Sequence, residues 1–80
     1  MKVVVYTKEN CPQCERVKAT FDKHNFEYEV FPVDERVLKL ANAKGWMQAP
    51  IVVSHEYPEY SFSGAQPDQI EDFITKHREG

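Results

Sequence analysis

The 80-residue chain predicts one α/β domain spanning residues 1–80, of element order βαβαββα: a four-stranded mixed sheet flanked by three helices. Three observations carry this expectation. A β-branched run, a proline-started amphipathic segment and a second extended run follow one another within about thirty residues, the signature of a βαβ unit with a right-handed crossover. Two short apolar runs lie close together further on, separated by a turn, as in an antiparallel hairpin. The last segment carries Ile70, Phe73, Ile74 and His77, the i, i+3, i+4, i+7 spacing of an amphipathic helix.

Each element has its own justification. Lys2 to Tyr6 is the first strand, because Val3-Val4-Val5-Tyr6 is β-branched and aromatic, and apolar on both faces as a central strand should be. Thr7-Lys8-Glu9-Asn10 is a polar turn. A helix starts at Cys11 or Pro12, since proline suits the first helical position, where its missing N–H has no partner to lose. Cys14, Val17, Phe21 and either His24 or Asn25 form its apolar stripe, with Glu15, Arg16, Lys18 and Asp22 on the wet side. Glu27 to Val33 alternates as the second strand. Asp34 caps a second helix running to about Lys44, with Val37, Leu38 and Ala41 inward and Gly45 ending it. Trp46-Met47-Gln48-Ala49-Pro50 is a loop into the third strand, Ile51 to Ser54. His55 to Pro58 turns the chain into a fourth strand, Glu59 to Phe62. Ser63 to Asp68 then leads into the last helix.

Composition narrows the function. Hydrophobic residues make up 41% and charged residues 29% of the chain, which fits a folded globule and not a disordered tail. The net charge is -3, and Lys and Arg are scattered beside Asp or Glu. That excludes a phosphate-tracking nucleic-acid face and a polybasic membrane anchor. The apolar run Val3 to Tyr6 is too short for a signal segment or a membrane span. The expected location is the cytoplasm, and nothing in the sequence demands more than a monomer.

The chemistry centres on Cys11 and Cys14. Two cysteines in a Cys-x-x-Cys pair, in a small chain expected to stay in the cytosol, point to redox chemistry or to metal and away from a structural disulfide framework. The position is what makes the pair informative. The thiolate is the attacking species, and a helix N-terminus offers free N–H groups and a favourable dipole to a negative charge. Cys11 sits there, so its pKa is expected to fall toward roughly 7, with Lys8 in the turn assisting. Cys14 lies one helical turn on, more buried and less acidic. Labour divides accordingly: Cys11 attacks a substrate disulfide and Cys14 resolves the mixed disulfide. Pro12 stiffens the junction, and Gln13 is the exposed residue between. Structural zinc needs four ligands, and His24, His55 and His77 show no paired spacing to complete a site with two cysteines. A cluster shared between chains would need further thiolates.

At Tyr6-Thr7-Lys8-Glu9-Asn10-Cys11-Pro12-Gln13-Cys14 the sequence resembles the glutaredoxins. Val33-Asp34-Glu35, Gly45-Trp46-Met47-Gln48-Ala49-Pro50-Ile51-Val52-Val53 and Phe62-Ser63-Gly64-Ala65-Gln66-Pro67-Asp68 make it most similar to the NrdH-redoxins, over nearly the whole chain. The sequence departs from that family at Ala65 and Gln66, where members usually carry Phe and Arg, and at Pro12, the usual glutaredoxin residue. The resemblance implies a thioredoxin fold and a redoxin with no bound cofactor beyond its own Cys11–Cys14 disulfide. It implies reduction by thioredoxin reductase, so that NADPH is used indirectly, and a class Ib ribonucleotide reductase as the client. It also implies that Pro50 is a cis proline beside Cys11 and that the Ala49 backbone pairs with the substrate chain. Read without the resemblance, Pro50 is equally an ordinary strand-start proline.

The candidate substrate- or partner-binding set is Lys8, Pro12, Gln13, Gln48, Ala49, Pro50, Ser63, Gly64 and Asp68. In a glutathione-dependent glutaredoxin, the competing enzyme reading, Lys8, the Gln48–Pro50 turn, Ser63, Gly64 and Asp68 would form the tripeptide cleft. Otherwise Lys8 is a solvated turn lysine that tunes Cys11, and Asp68 charges the first turn of the last helix. Trp46 is expected as a core anchor, and Tyr57, Tyr60 and Phe62 as strand packing. A non-enzymatic metal-cluster carrier or redox-sensing binding module is the reading from another class.

Overall fold

Alternation along two central strands decides where everything else goes. The computed structural model describes residues 3–79. Its sheet has the order β2-β1-β3-β4, built from β1 (Val3–Thr7), β2 (Glu29–Pro32), β3 (Ile51–Ser54) and β4 (Phe62–Ser63). β1 runs parallel to β2 and antiparallel to β3, with Val5 opposite Val52 and Tyr6 opposite Ile51. β3 runs antiparallel to β4. Successive side chains leave a strand on opposite faces. Val3, Val5 and Val52 therefore pack on one side, with Val17, Phe21, Phe62, Ile70, Phe73 and Ile74. Ile51 packs on the other with Val37 and Ala41, supported by Tyr6, Val33, Trp46 and Val53. Helices α1 (Pro12–Lys23) and α3 (Pro67–Glu79) cover the first face and α2 (Glu35–Lys44) the second. The expected βαβαββα order and mixed sheet are present, and the fold is that of thioredoxin.

The helix ends follow from side-chain chemistry. Asp34 caps α2 by accepting the Val37 N–H at 2.9 Å. Gly45, at φ +73°, ends it: its N–H bonds to Asn42 and that of Trp46 to Ala41, the two bonds of a Schellman motif. The same device ends α1 without a glycine. Asn25 takes φ +53°, its N–H bonds to Asp22, and the Phe26 N–H returns to the Phe21 carbonyl at 2.8 Å. The α1 stripe thus stops at Phe21 and does not extend through His24 or Asn25. Asparagine tolerates the left-handed conformation better than most residues, and that is what the helical spacing concealed.

Three boundaries differ from the expectation. β1 runs on to Thr7 and does not stop at Tyr6, while its expected Lys2 start lies outside the described residues. β2 is shorter than Glu27–Val33, because Phe26 and Tyr28 fold over Phe21 before the strand begins; as an edge strand it leaves Val30 and Phe31 exposed. The expected strand Glu59–Phe62 is instead a one-turn 3-10 helix, Pro58–Tyr60, followed by β4 at Phe62. Pro58 has no N–H for a ladder, and Tyr60 and Ser61 donate back to Tyr57 and Pro58. Buried Ser54 holds this turn down: its N–H donates to Ser61 Oγ, and its own Oγ accepts the Tyr57 N–H and lies 2.7 Å from His77 Nε2. The His77 Nδ1–H donates to the Phe73 carbonyl. Leu38, expected inward, is 45% exposed. It lies off the Val37–Ala41 line that meets the sheet.

Phe21 sits where α1, α3 and the chain leading into β2 meet. Its ring centroid is 4.9 Å from Phe26, 5.4 Å from Tyr28 and 5.8 Å from Phe73. Phe21→Ala is expected to cost about 3–5 kcal/mol, a large share of the roughly 5–15 kcal/mol available to a small domain; urea titration would measure it. Tyr28 gives a pH signature. Burial, the hydrogen bond to Asp22 at 2.8 Å, and the nearby Asp22 and Glu15 carboxylates raise its pKa from 10.0 to about 12. The raised folded-state pKa means that this contribution is complete below pH 10.0 and fades as pH climbs through about 12. The stability difference between the wild type and Tyr28→Phe should therefore shrink over that window.

Candidate active site

The site is built where β1 stops being covered. After Thr7 the chain leaves the sheet through Lys8, Glu9 and Asn10, all exposed, and Asn10 reverses it at φ +52°. Cys11 follows in extended conformation as the N-cap of α1, with Pro12 at the first helical position. The Cys11 Sγ accepts the Cys14 N–H at 3.1 Å, and the Cys11 carbonyl takes the Glu15 N–H. One of the four orphan donors of the helix start is thus satisfied by sulfur. Cys11 and Cys14 form a disulfide, with Cα atoms 5.2 Å apart. The two sulfurs are not equivalent. Cys11 is partly exposed, whereas Cys14 is only 1% exposed and belongs to the buried stripe of α1.

Around Cys11 runs an open groove. Lys8, Glu9, Asn10, Pro12, Gln13, Gln48 and Ala49 line it. The Ala49–Pro50 peptide bond is cis, as the resemblance implied, and Pro50 is fully buried. The Pro50 carbonyl accepts the Gly64 N–H at 3.0 Å, which ties the loop to the end of β4. A second hollow adjoins the groove, sharing Lys8, Gln48 and Ala49 and lined further by Leu38, Trp46, Met47 and Ile51. Trp46 is half-buried against Val37, Ala41 and Ile51, the core anchor expected of it.

Of the candidate set, Lys8, Pro12, Gln13, Gln48 and Ala49 meet at the groove, and Pro50 and Gly64 lie behind it. Ser63, opposite Ile51 in the sheet, and Asp68, exposed in the first turn of α3, do not line it. Gln13 differs from the expectation of an exposed spacer. It is half-buried, and its Oε1 is buried without a hydrogen-bond partner, an arrangement that costs about 1–3 kcal/mol. The reason is Gly64. A Cβ there would lie 2.8 Å from Gln48 Oε1 and 3.5 Å from Gln13 Oε1, so both amides fold onto the residue that has none. Glu9 and Asn10 were missed as groove residues; asparagine immediately before the cysteine was the available signal. Among the described residues, no group of three or more His, Cys, Asp or Glu is placed to hold a metal ion, and no helix is long and apolar enough to cross a membrane.

A thioredoxin fold that presents one sulfur of a Cys-x-x-Cys pair at a helix start and buries the other defines a thiol–disulfide oxidoreductase. Comparison with known proteins narrows the class. Residues 3–56 match the Glutaredoxin family, and the chain belongs to that family. It is 31% identical over 72 residues to the glutaredoxin-like protein NrdH of Escherichia coli (strain K12), covering 88% of this chain and 85% of that one. The NrdH protein of Salmonella typhimurium (strain LT2) is 33% identical over the same shares. The solved structure of NrdH-redoxin from Escherichia coli superposes with a TM-score of 0.73 at 30% identity, over 90% of this chain and 93% of that one.

Gly64 offers a direct test of how the site is packed. At φ +83° a side chain is strained by about 1–2 kcal/mol, and a Cβ would also push Gln48 aside. Gly64→Ala should lower the midpoint of urea unfolding accordingly.

Proposed function

We propose that this protein is a single-domain, monomeric, cytoplasmic dithiol redoxin that carries electrons from NADPH, through thioredoxin reductase, to the disulfide of a class Ib ribonucleotide reductase. The observation that carries the reading is the asymmetry of the pair: Cys11 caps the helix and is partly exposed, and Cys14 is buried one turn behind it. In the reduced protein the Cys14 N–H and the helix dipole favour a thiolate at Cys11. That thiolate attacks one sulfur of the client disulfide. A Cys11–client bond forms, the client S–S bond breaks, and the departing client sulfur takes a proton. Cys14, giving up its proton, then attacks Cys11 Sγ; the Cys11–Cys14 bond forms and the client leaves as a dithiol. Two electrons have passed to the client, and the reductase returns two from NADPH.

The remaining roles follow the groove. Lys8 adds positive charge near Cys11, Pro12 fixes the first turn, and the Ala49 backbone pairs with the client chain like an added strand. Gln13, Gln48, Pro50 and Gly64 shape the wall on that side, and Ser63 and Asp68 stand further off. Two features support a protein client over glutathione. The groove omits Ser63 and Asp68, which a tripeptide cleft would recruit, and it continues into a hollow with apolar walls at Leu38, Trp46 and Met47. The solved Escherichia coli NrdH-redoxin is described as having a thioredoxin-like activity profile, and the same profile is proposed for this chain.

NADPH oxidation should be followed with a protein disulfide in two reducing systems, one with thioredoxin reductase and one with glutathione and glutathione reductase. Turnover is expected with thioredoxin reductase, and Cys14→Ser should abolish it. Turnover with glutathione alone, surviving Cys14→Ser, would make the protein a glutathione-dependent glutaredoxin and overturn the proposal.

A further inference from the structure

The buried Gln13 oxygen has no use in the chemistry described so far. Buried polar atoms in native structures are nearly all hydrogen-bonded, so an orphan beside a reacting sulfur calls for an explanation. Its surroundings supply one. Gln13 stands in the first turn of α1 on the wall of the Cys11 groove. Gln48, on the same wall, lays its own Oε1 onto Gly64 next to the Gln13 oxygen. Two carbonyl oxygens thus converge on one glycine, and the Gln13 oxygen has no donor. Gln48 is an exposed side chain on a surface loop, free to swing off Gly64, whereas Gln13 is held by the helix.

The chemistry of the missing donor is constrained. A cation would approach against Lys8 on the same groove, and a charged donor would be costly to bring to a buried oxygen. A neutral N–H carries neither penalty, and an extended polypeptide presents one from every second residue to the same side. Resting on the redoxin reading above, we infer that Gln13 is a specificity-determining residue. Its side-chain carbonyl accepts a hydrogen bond from a main-chain N–H of the disulfide-bearing polypeptide, and Gln48 gives way as that chain docks. The free protein holds the acceptor unsatisfied and the mixed disulfide satisfies it, so the preference is for disulfides carried on a peptide backbone.

The test is single turnover. Prereduced protein is mixed with increasing concentrations of a synthetic peptide bearing an intramolecular disulfide, and the half-saturating concentration is compared for wild type and Gln13→Leu. The variant is expected to need roughly three- to tenfold more peptide and to unfold at a higher temperature, since it no longer buries an orphan acceptor. Peptides N-methylated at the attacked cysteine or at either neighbour supply the second axis. Methylation at one of these positions should weaken the wild type by the same factor and leave Gln13→Leu unmoved. Equal half-saturation in the two proteins, or the lack of any position at which methylation weakens the wild type and leaves Gln13→Leu unmoved, would overturn the inference. Gln13→Met repeats the comparison if the leucine variant does not fold. A wild type that turns over the peptide while Gln13→Leu matches it removes this inference alone. A wild type that does not turn over the peptide removes the redoxin reading as well.

Discussion

The coverage of β1 on both faces is the constraint on which the rest depends. Val3 and Val5 need α1 and α3 above them, and Tyr6 needs α2 below. A strand buried in this way can leave the sheet only at its end, and the chain must then climb at once onto a helix packed over the same strand. The three residues from Lys8 to Asn10 make that climb, and Cys11 is the first residue to arrive. The position of the reactive sulfur is therefore a by-product of core burial. Val17 and Phe21 hold α1 down, so its first turn, with the Cys14 N–H, is aimed at Cys11.

The second fixed point is the meeting of two loops that are remote in sequence. The loop before β3 and the end of β4 are joined by the Gly64 N–H to Pro50 carbonyl bond, beside the ladder that pairs Ile51 with Ser63. This joint sets Ala49 and Gln48 against Cys11. Its stiffness comes from the sheet, and the variable part of the site is confined to side chains such as Gln48 and Met47 that project from it.

Much of this was legible in the sequence, and the remainder was hidden for identifiable reasons. Val3 to Tyr6, the Pro12 helix start, the Asp34 cap and the Ile70–Phe73–Ile74 stripe each state a local preference that agrees with the fold, so the element order could be read directly. Asn25 and Pro58 carry their information in backbone conformation and not in periodicity. Helical spacing ran past the first, and strand composition around Tyr57 and Tyr60 masked the second. Leu38 was misplaced because an apolar residue one position from a buried stripe reads as part of it. In the site, Cys11 and Cys14 were legible from motif and position. The burial of Gln13 was not, because it depends on Gly64, 51 positions away in the sequence and brought near only by the sheet.

The outer edge of β2 has a consequence for how the molecule coexists with its own copies. Val33 donates inward to the Thr7 carbonyl, and strand alternation then turns Pro32 outward. A strand approaching from solvent would meet proline where a donor should be, and the four-residue strand leaves it Val30 as the outward N–H. The exposed side chains of Val30 and Phe31 would otherwise make this rim adhesive. One imino acid thus keeps the sheet from being lengthened by a neighbour, and a crowded solution of the protein is guarded against stacking into ribbons along that side.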